Sequence, residues 1–257
     1  MISTGGQGRD APFAGAMGAW PSVTFLSLSV CVFALALPSA VRAAGTAFAV
    51  DTSEISETGS CKIESWLSWA SNRDGLATAN PACVVDLFRP VELSAQFARS
   101  RADDEWATSI APKAKTKLVP TQIGSFGLAL AAGTSYDLAT NESTSIFAYA
   151  PATLRLSEVV RVNVNGGWLW DRTVDRHYLT YGVGVDWRFT EILTLTVETF
   201  GQAGSSDDPS VTQPRFQAGL RIRPIETLSF DFIYGRNING EDANWVTLAA
   251  TVRFPAK

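Results

Sequence analysis

Histidine occurs once in this chain, at position 177, methionine twice and cysteine three times. A lone histidine cannot supply the paired ligands of a transition-metal centre. No Gly-x-Ser-x-Gly elbow is present, and no glycine-rich turn follows a strand to open a helix, so neither a hydrolase nucleophile nor a phosphate cradle is signalled. The loop Gly235–Asn244 lacks the acidic spacing of a calcium loop. Basic excess is missing too: 21 Lys and Arg stand against 25 Asp and Glu, a net charge of −4 that leaves no electrostatic footprint for nucleic acid. Long apolar runs are scarce, and a mean hydropathy of +0.07 excludes a helical membrane bundle, which needs several apolar stretches of about 20 residues.

The single long apolar run, Phe25 to Leu37, is followed by Pro38, Ser39 and the small-residue stretch Val41-Arg42-Ala43-Ala44. Its length and flanks fit a secretory signal cleaved after Ala43, so residues 1–43 are read as a signal peptide. Its removal takes away two arginines and one aspartate, which lowers the net charge to −5. Cys31 leaves with it, while Cys61 and Cys83 enter an oxidising envelope where a disulfide could persist. Placing the first hairpin loop near residue 75 sets the two cysteines at opposite rims, beyond the roughly 7 Å Cα limit for bridging. The sequence therefore favours separate thiols and leaves the bridge open.

What the chain has in abundance is alternation. In Asn244–Phe254, Val246, Leu248, Ala250, Val252 and Phe254 point one way, and Trp245, Thr247, Ala249, Thr251 and Arg253 the other, the period of two of a strand between unlike surroundings. Strand-like runs recur at Lys62–Ala70, Ala82–Phe88, Val91–Arg101, Glu105–Lys117, Ile123–Thr134, Ser143–Leu154, Val159–Trp170, Tyr178–Phe189, Ile192–Ala203, Gln213–Arg223 and Glu226–Arg236; most alternate in the same way, while Ala82–Phe88 is short, Glu105–Lys117 is the least regular and Ser143–Leu154 is apolar on both faces. Pro112 marks a bulge or frayed rim in the fourth run. Twelve runs, most near the 9–11 residues of a tilted membrane strand, predict an all-β fold: a transmembrane antiparallel up-and-down barrel over 61–257. Residues 44–60, acidic and rich in small side chains, read as a periplasmic N-terminal extension.

Tight links at 156–158, 190–191 and 224–225 alternate with longer polar ones at 204–212 and 237–243. Short periplasmic turns and longer external loops place both termini in the periplasm, which requires an even strand number. Trp69, Trp168, Trp170, Trp187, Phe189, Tyr234 and Phe254 fall at strand ends, where aromatic girdles form. The last strand resembles the terminal signal of bacterial outer-membrane barrels, with Pro255, Ala256 and Lys257 following its aromatic residue.

The stretches FAVDTSEISETGSCKIESWLSWASNRDG (48–75), LFRPVELSAQF (87–97) and VRVNVNGGWLWDRTVDRHYLTYGVGVDWRF (160–189) resemble bacterial outer-membrane barrels known as transporters of the phenol meta-cleavage degradation pathway. That resemblance implies passage of small solutes, aromatic or hydrophobic ones among them, across the bacterial outer membrane. A charge on a lipid face costs ~2–4 kcal/mol at the midplane, so the charged alternate positions, and the polar one among them, must line the lumen. These are Arg161, Asn163, Asp186, Arg188, Glu198, Arg215, Arg221, Arg223, Asp231 and Arg253, joined by Glu64, Asp86 and Glu92. Two readings remain open: a channel or transporter, and a structural or adhesive barrel whose lumen is filled by side chains. No catalytic, metal or cofactor site is expected; a rim site pairing His177 with Ser143 or Ser145 is the only enzymatic arrangement conceivable. Expected partners are outer-membrane lipid and lipopolysaccharide, the barrel assembly machinery and an unidentified small solute, with no nucleic acid.

Overall fold

The computed structural model describes residues 47–102, 104–204, 214–238 and 242–256; the signal peptide expected at 1–43 lies outside them. Twelve strands follow in chain order: β1 (Cys61–Ala70), β2 (Gly75–Asp86), β3 (Pro90–Ala102), β4 (Glu105–Val119), β5 (Phe126–Asp137), β6 (Glu142–Arg155), β7 (Val160–Asp171), β8 (Arg176–Arg188), β9 (Leu193–Ala203), β10 (Arg215–Ile225), β11 (Leu228–Asn237) and β12 (Asn244–Phe254). Each pairs antiparallel with its neighbours, and β1 pairs with β12 from Cys61↔Phe254 to Ala70↔Trp245, which closes the barrel. In hydrocarbon no water satisfies a backbone N–H or C=O, so a sheet spans a membrane only when no edge remains.

The alternation becomes two surfaces. Outward, Leu67, Phe97, Val183, Phe232 and Leu248 are each 44–55% exposed, a belt of large apolar side chains without an apolar partner. Inward, Glu64, Glu92, Asp186, Glu198, Gln217, Asp231 and Thr247 are buried. A soluble sandwich buries its apolar face; this barrel shows its apolar face to the outside and its polar one to itself, as a membrane-spanning barrel must. The twelve-strand up-and-down barrel read from the alternation is what the structure shows.

Local boundaries differ where proline interrupts a ladder. The second run, expected to begin at 82, begins at Gly75, after a tight turn at 71–74. Pro81 has no N–H, and the β2–β3 register passes from Ala79↔Phe97 to Ala82↔Ser94 around it. That earlier start overturns the expected separation of the cysteines. With Leu67 opposite Ala77, register brings Cys61 opposite Cys83, Cα atoms 4.0 Å apart, and the two form a disulfide. Pro112 interrupts only the β5 side of β4, and the register shift lies later, between Lys117 and Val119.

The face assignment has a depth-dependent consequence. Val183, outward in the middle of β8, is expected on substitution by Arg to lose about 2–4 kcal/mol of folded barrel, whereas Leu179→Arg, nearer the strand end, should lose about 0–1. The heat-modifiable folded fraction after refolding into lipid vesicles measures both; equal losses would contradict the depth assigned to β8.

Candidate functional site: the lumen and its N-terminal lead

Eight strands make a barrel that side chains just fill, and sixteen leave an aqueous channel. Twelve lie between, and here the extra room holds the chain's own N-terminal lead. Gly59 N–H donates to Val84 O and Val84 N–H to Ser60 O, which continues the β1–β2 ladder past the strand end. Beyond that anchor the chain enters the barrel. Residues 47–54, expected as part of a periplasmic extension, run inside it: Ala47, Phe48, Val50, Asp51 and Ser53 are all buried. The physical reason is in the wall, where glycines leave space for a second backbone.

A Cβ on Gly182 would meet Val50 Cγ2 at 2.8 Å, and one on Gly219 would meet Phe48 Cζ at 3.0 Å and Ile233 Cγ1 at 2.8 Å. Phe48 packs in a buried cluster with Ala47, Trp66 and Ile233. The Arg221 guanidinium lies 5.4 Å from the centre of the Phe48 ring, a cation–π approach.

Polar contacts hold the rest. Glu198 accepts from Ala49 N–H at 2.5 Å and Val50 N–H at 3.1 Å, so one carboxylate satisfies two backbone donors that water cannot reach. Asp51 is gripped from two sides, by Lys115 Nζ at 2.8 Å and by the Tyr149 hydroxyl at 2.8 Å. Lys113 Nζ donates to Tyr149 Oη at 3.2 Å. Asn165, with its amide oriented to satisfy both groups, donates to Asp51 O at 2.9 Å and accepts from Asp51 N–H at 2.6 Å. Ser53 N–H donates to Thr153 Oγ1, and the Ser53 hydroxyl bonds that of Thr121. Glu54 takes Arg161 at 2.9 Å.

Burial would raise the Asp51 carboxyl, but the Lys115 and Lys113 ammonium groups, with hydrogen bonds from Lys115 and Tyr149, hold it well below the usual carboxylate range. A depressed value means that the stability this carboxylate contributes is present above its unfolded pKa near 4 and is lost only as pH falls through the folded one. Asp51 is therefore ionised at neutral pH.

Ordering the lead costs backbone entropy that burial of Phe48 and Val50 offsets only in part, so the polar contacts to Glu198, Lys115, Tyr149, Asn165 and Arg161 help to decide whether it stays.

All ten residues expected to line the lumen lie on inward positions, and they fall into distinct groups. Arg161 Nε donates to Asp186 Oδ2 at 2.6 Å, and Asn163 and Thr196 also donate to Asp186, which joins β7, β8 and β9 to Glu54 of the lead. Arg221 and Asp231, opposite each other in register, form a bidentate pair at 2.6 and 3.0 Å. Glu198 serves the lead and Gln217. Arg188 donates to Glu158 O and Arg253 to Ser229 Oγ, and neither these two nor Arg215 and Arg223 are ion-paired among the described residues. Arg188, Arg223 and Arg253 sit at the end where β1 begins and β12 ends; Arg215 is near the other.

Sequence reasoning passed over Lys113 and Lys115, although Lys113, Lys115 and Lys117 alternate on β4; Pro112 beside them drew the eye to a bulge. It also passed over Asp51 and Tyr149, which only the inserted lead brings together. A second inward cluster, Ala131, Phe147, Tyr149, Leu169 and Tyr178, is apolar and lies toward the end where β1 finishes and β12 begins. His177 stacks between Trp168 and Trp170 at 5.5 and 5.6 Å on the outer surface, while Ser145 faces the lumen and Ser143 bonds Thr134. The wall separates His177 from Ser145, so that pair has no common reaction space. Among the described residues no group of three or more metal-ligating side chains occurs.

The sequence profile of the family described as Uncharacterised conserved protein UCP029691 matches residues 31–254. No curated protein matches the chain in sequence. Among solved structures, the KdgM porin shares the fold with a TM-score of 0.57 at 10% identity, over 75% of this chain and 99% of its own. The NanC porin gives 0.58 at 8% identity, over 74% and 98%. The COG4313 outer membrane channel from Pseudomonas putida F1 gives 0.58 at 12% identity, over 78% and 97%. At such identities the likeness is one of fold: these are outer-membrane barrels.

Two substitutions probe the seat of the lead. Asp51→Ala leaves Lys115 buried without its carboxylate, a loss of about 3–5 kcal/mol if the lead stays, so the lead should leave instead. Gly182→Leu should expel it sterically while the outer face of β8 is untouched. Hydrogen exchange at the Ala49 and Val50 amides should rise at least tenfold in both variants, with the barrel still heat-modifiable; unchanged protection would show that neither contact holds the lead.

Proposed function

The chain belongs to this uncharacterised family, whose name carries no activity, and we propose that it is a bacterial outer-membrane channel for small solutes, closed by its own N-terminal lead. The observation that carries this reading is the way the lumen is filled. The lead crosses a barrel too wide for its wall side chains alone and is held by hydrogen bonds and ion pairs, contacts that exchange with water when the segment withdraws. The porin and channel names of the barrels that share its fold agree with this reading. No catalytic role is part of it.

The two ends of the lumen differ in chemistry, which bears on the solute. Toward the external end the wall offers the Phe147, Tyr149, Leu169 and Tyr178 cluster. At the periplasmic mouth stand Arg188, Arg223 and Arg253 without carboxylate partners among the described residues. Selectivity follows the sign of charge at a constriction, so this mouth prefers anions. A small aromatic or hydrophobic solute bearing a carboxylate matches both ends.

A structural barrel with a permanently filled lumen is the second reading, favoured by the packing of that apolar cluster at 1–5% exposure. Planar-bilayer recordings separate the two. The mature chain lacking residues 44–57 should conduct at several times the level of the intact one; if neither passes current, the structural reading holds.

Selectivity gives an independent check in the lead-deleted protein. Asp231→Asn frees Arg221 and should move the reversal potential under a salt gradient toward anion preference, and Arg221→Gln should move it the opposite way. No movement in either variant while current flows would show that the path avoids β10 and β11.

A further inference from the structure

Small side chains interrupt the outer belt beside the join of the first and last strands. Ser65 of β1, Ala77 and Ala79 of β2 and Ala250 of β12 are neighbours in register, Ser65 lying opposite both Ala79 and Ala250. These small side chains floor a depression of about 650 Å³, bounded by Phe230 and Leu248 on one side and by Phe97 and Arg99 on the other. The walls are outward-facing: Phe97, Phe230 and Leu248 are each nearly half exposed.

Arg99 is the anomaly. It shares its register row with Leu67 and Leu248, both in the apolar belt, and lies three residues inside the external end of β3, roughly 8 Å below that end for a tilted strand. A guanidinium at that depth is close enough to the interface to be tolerated, and an anionic headgroup at the same level would match its charge. Its Nη1 donates to Thr108 Oγ1 at 2.5 Å, and its carbon lies 5.2 Å from the Trp106 ring centre. Neither partner is an anion, and among the described residues no carboxylate pairs with it, whereas Arg101, closer to the rim, pairs with Asp104. Arg99 lines the groove, and the planar fork of a guanidinium suits phosphate oxygens.

We propose that this groove binds a phosphorylated lipid of the outer leaflet, the lipid A portion of lipopolysaccharide, with an acyl chain on the floor of Ser65, Ala77, Ala79 and Ala250 and a phosphate on Arg99. The apolar depression alone would accept any chain. Arg99 selects an anionic headgroup, and its place near the external rim selects the leaflet. The expected contact with lipopolysaccharide thereby acquires an address on the barrel, at β12, β1, β2 and β3. Because the groove lies on the outside, it is independent of whether the lumen conducts.

Native mass spectrometry of the mature, folded chain in zwitterionic detergent tests this with four probes: bisphosphorylated lipid A, the same lipid dephosphorylated, phosphatidylethanolamine and inorganic phosphate. The intact protein should retain one bisphosphorylated lipid A in preference to the other three. Arg99→Gln should weaken that adduct about tenfold and leave the dephosphorylated one unchanged, the loss expected for one charge-assisted contact. Ala79→Leu, which fills the floor without adding polarity, should weaken both lipid adducts, and heat-modifiable migration confirms that each variant is folded. Equal retention by all three proteins overturns the site. So does retention of inorganic phosphate as strong as that of lipid A, or disulfide cross-linking of the Ala79→Cys variant to a second copy of the chain in the bilayer.

Discussion

Closure of β1 onto β12 is the constraint from which the rest of this structure follows. Twelve antiparallel ladders satisfy the backbone in a solvent that offers no hydrogen bonds, and the join from Cys61↔Phe254 to Ala70↔Trp245 removes the last free edge. Once the sheet is closed, every strand residue has only two directions left. The outward direction is apolar because charge there is costly, and the charges the chain carries are driven inward.

Closure with twelve strands also sets the width of the interior, and that width creates the next requirement. A lumen broader than its own side chains can fill must hold water or another part of the chain. Here the lead occupies it, with Phe48 and Val50 over glycines in the wall and Asp51 between Lys115 and Tyr149. Burying Lys113 and Lys115 in a dry barrel would be unfavourable without a carboxylate, and burying Asp51 would be unfavourable without ammonium groups. Lead and wall complete one another. Neither the lysines nor the aspartate has a reason to be buried until both are present.

The fold shared with the KdgM, NanC and COG4313 structures explains the exterior and the topology, and at about a tenth identity it explains nothing of the interior. The interior of this chain has its own order of chemistry along the barrel axis. Arg188, Arg223 and Arg253 stand at one mouth, the lead and its latches cross the middle, and Phe147, Leu169 and Tyr178 occupy the far half. A polar wall interrupted by an apolar stretch is no requirement of barrel stability, since the membrane dictates only the outer face. The inner face is free to be set by function.

The sequence by itself determined the architecture, because a period of two admits only one reading over eleven residues: Thr247 and Thr251 on one face, Leu248 and Val252 on the other, whatever the strand pairs with. Summed over twelve runs, that local rule gave the strand count, the parity of most faces and the inward direction of Arg161, Asp186, Glu198 and Asp231. Tertiary structure alone decided everything that depends on which residues meet across strands. The Cys61–Cys83 bridge rests on the register of β1 against β2, hidden in the sequence by Pro81, whose missing N–H made a strand look like a loop. The descent of residues 47–54 into the lumen rests on glycines of β8 and β10 and on lysines of β4, more than sixty positions away. The groove at Ser65, Ala79 and Ala250 exists only because closure sets the first strand beside the last. Periodicity is a property of neighbours along the chain, whereas register and closure are set by energies summed over the whole sheet, and no local window contains them.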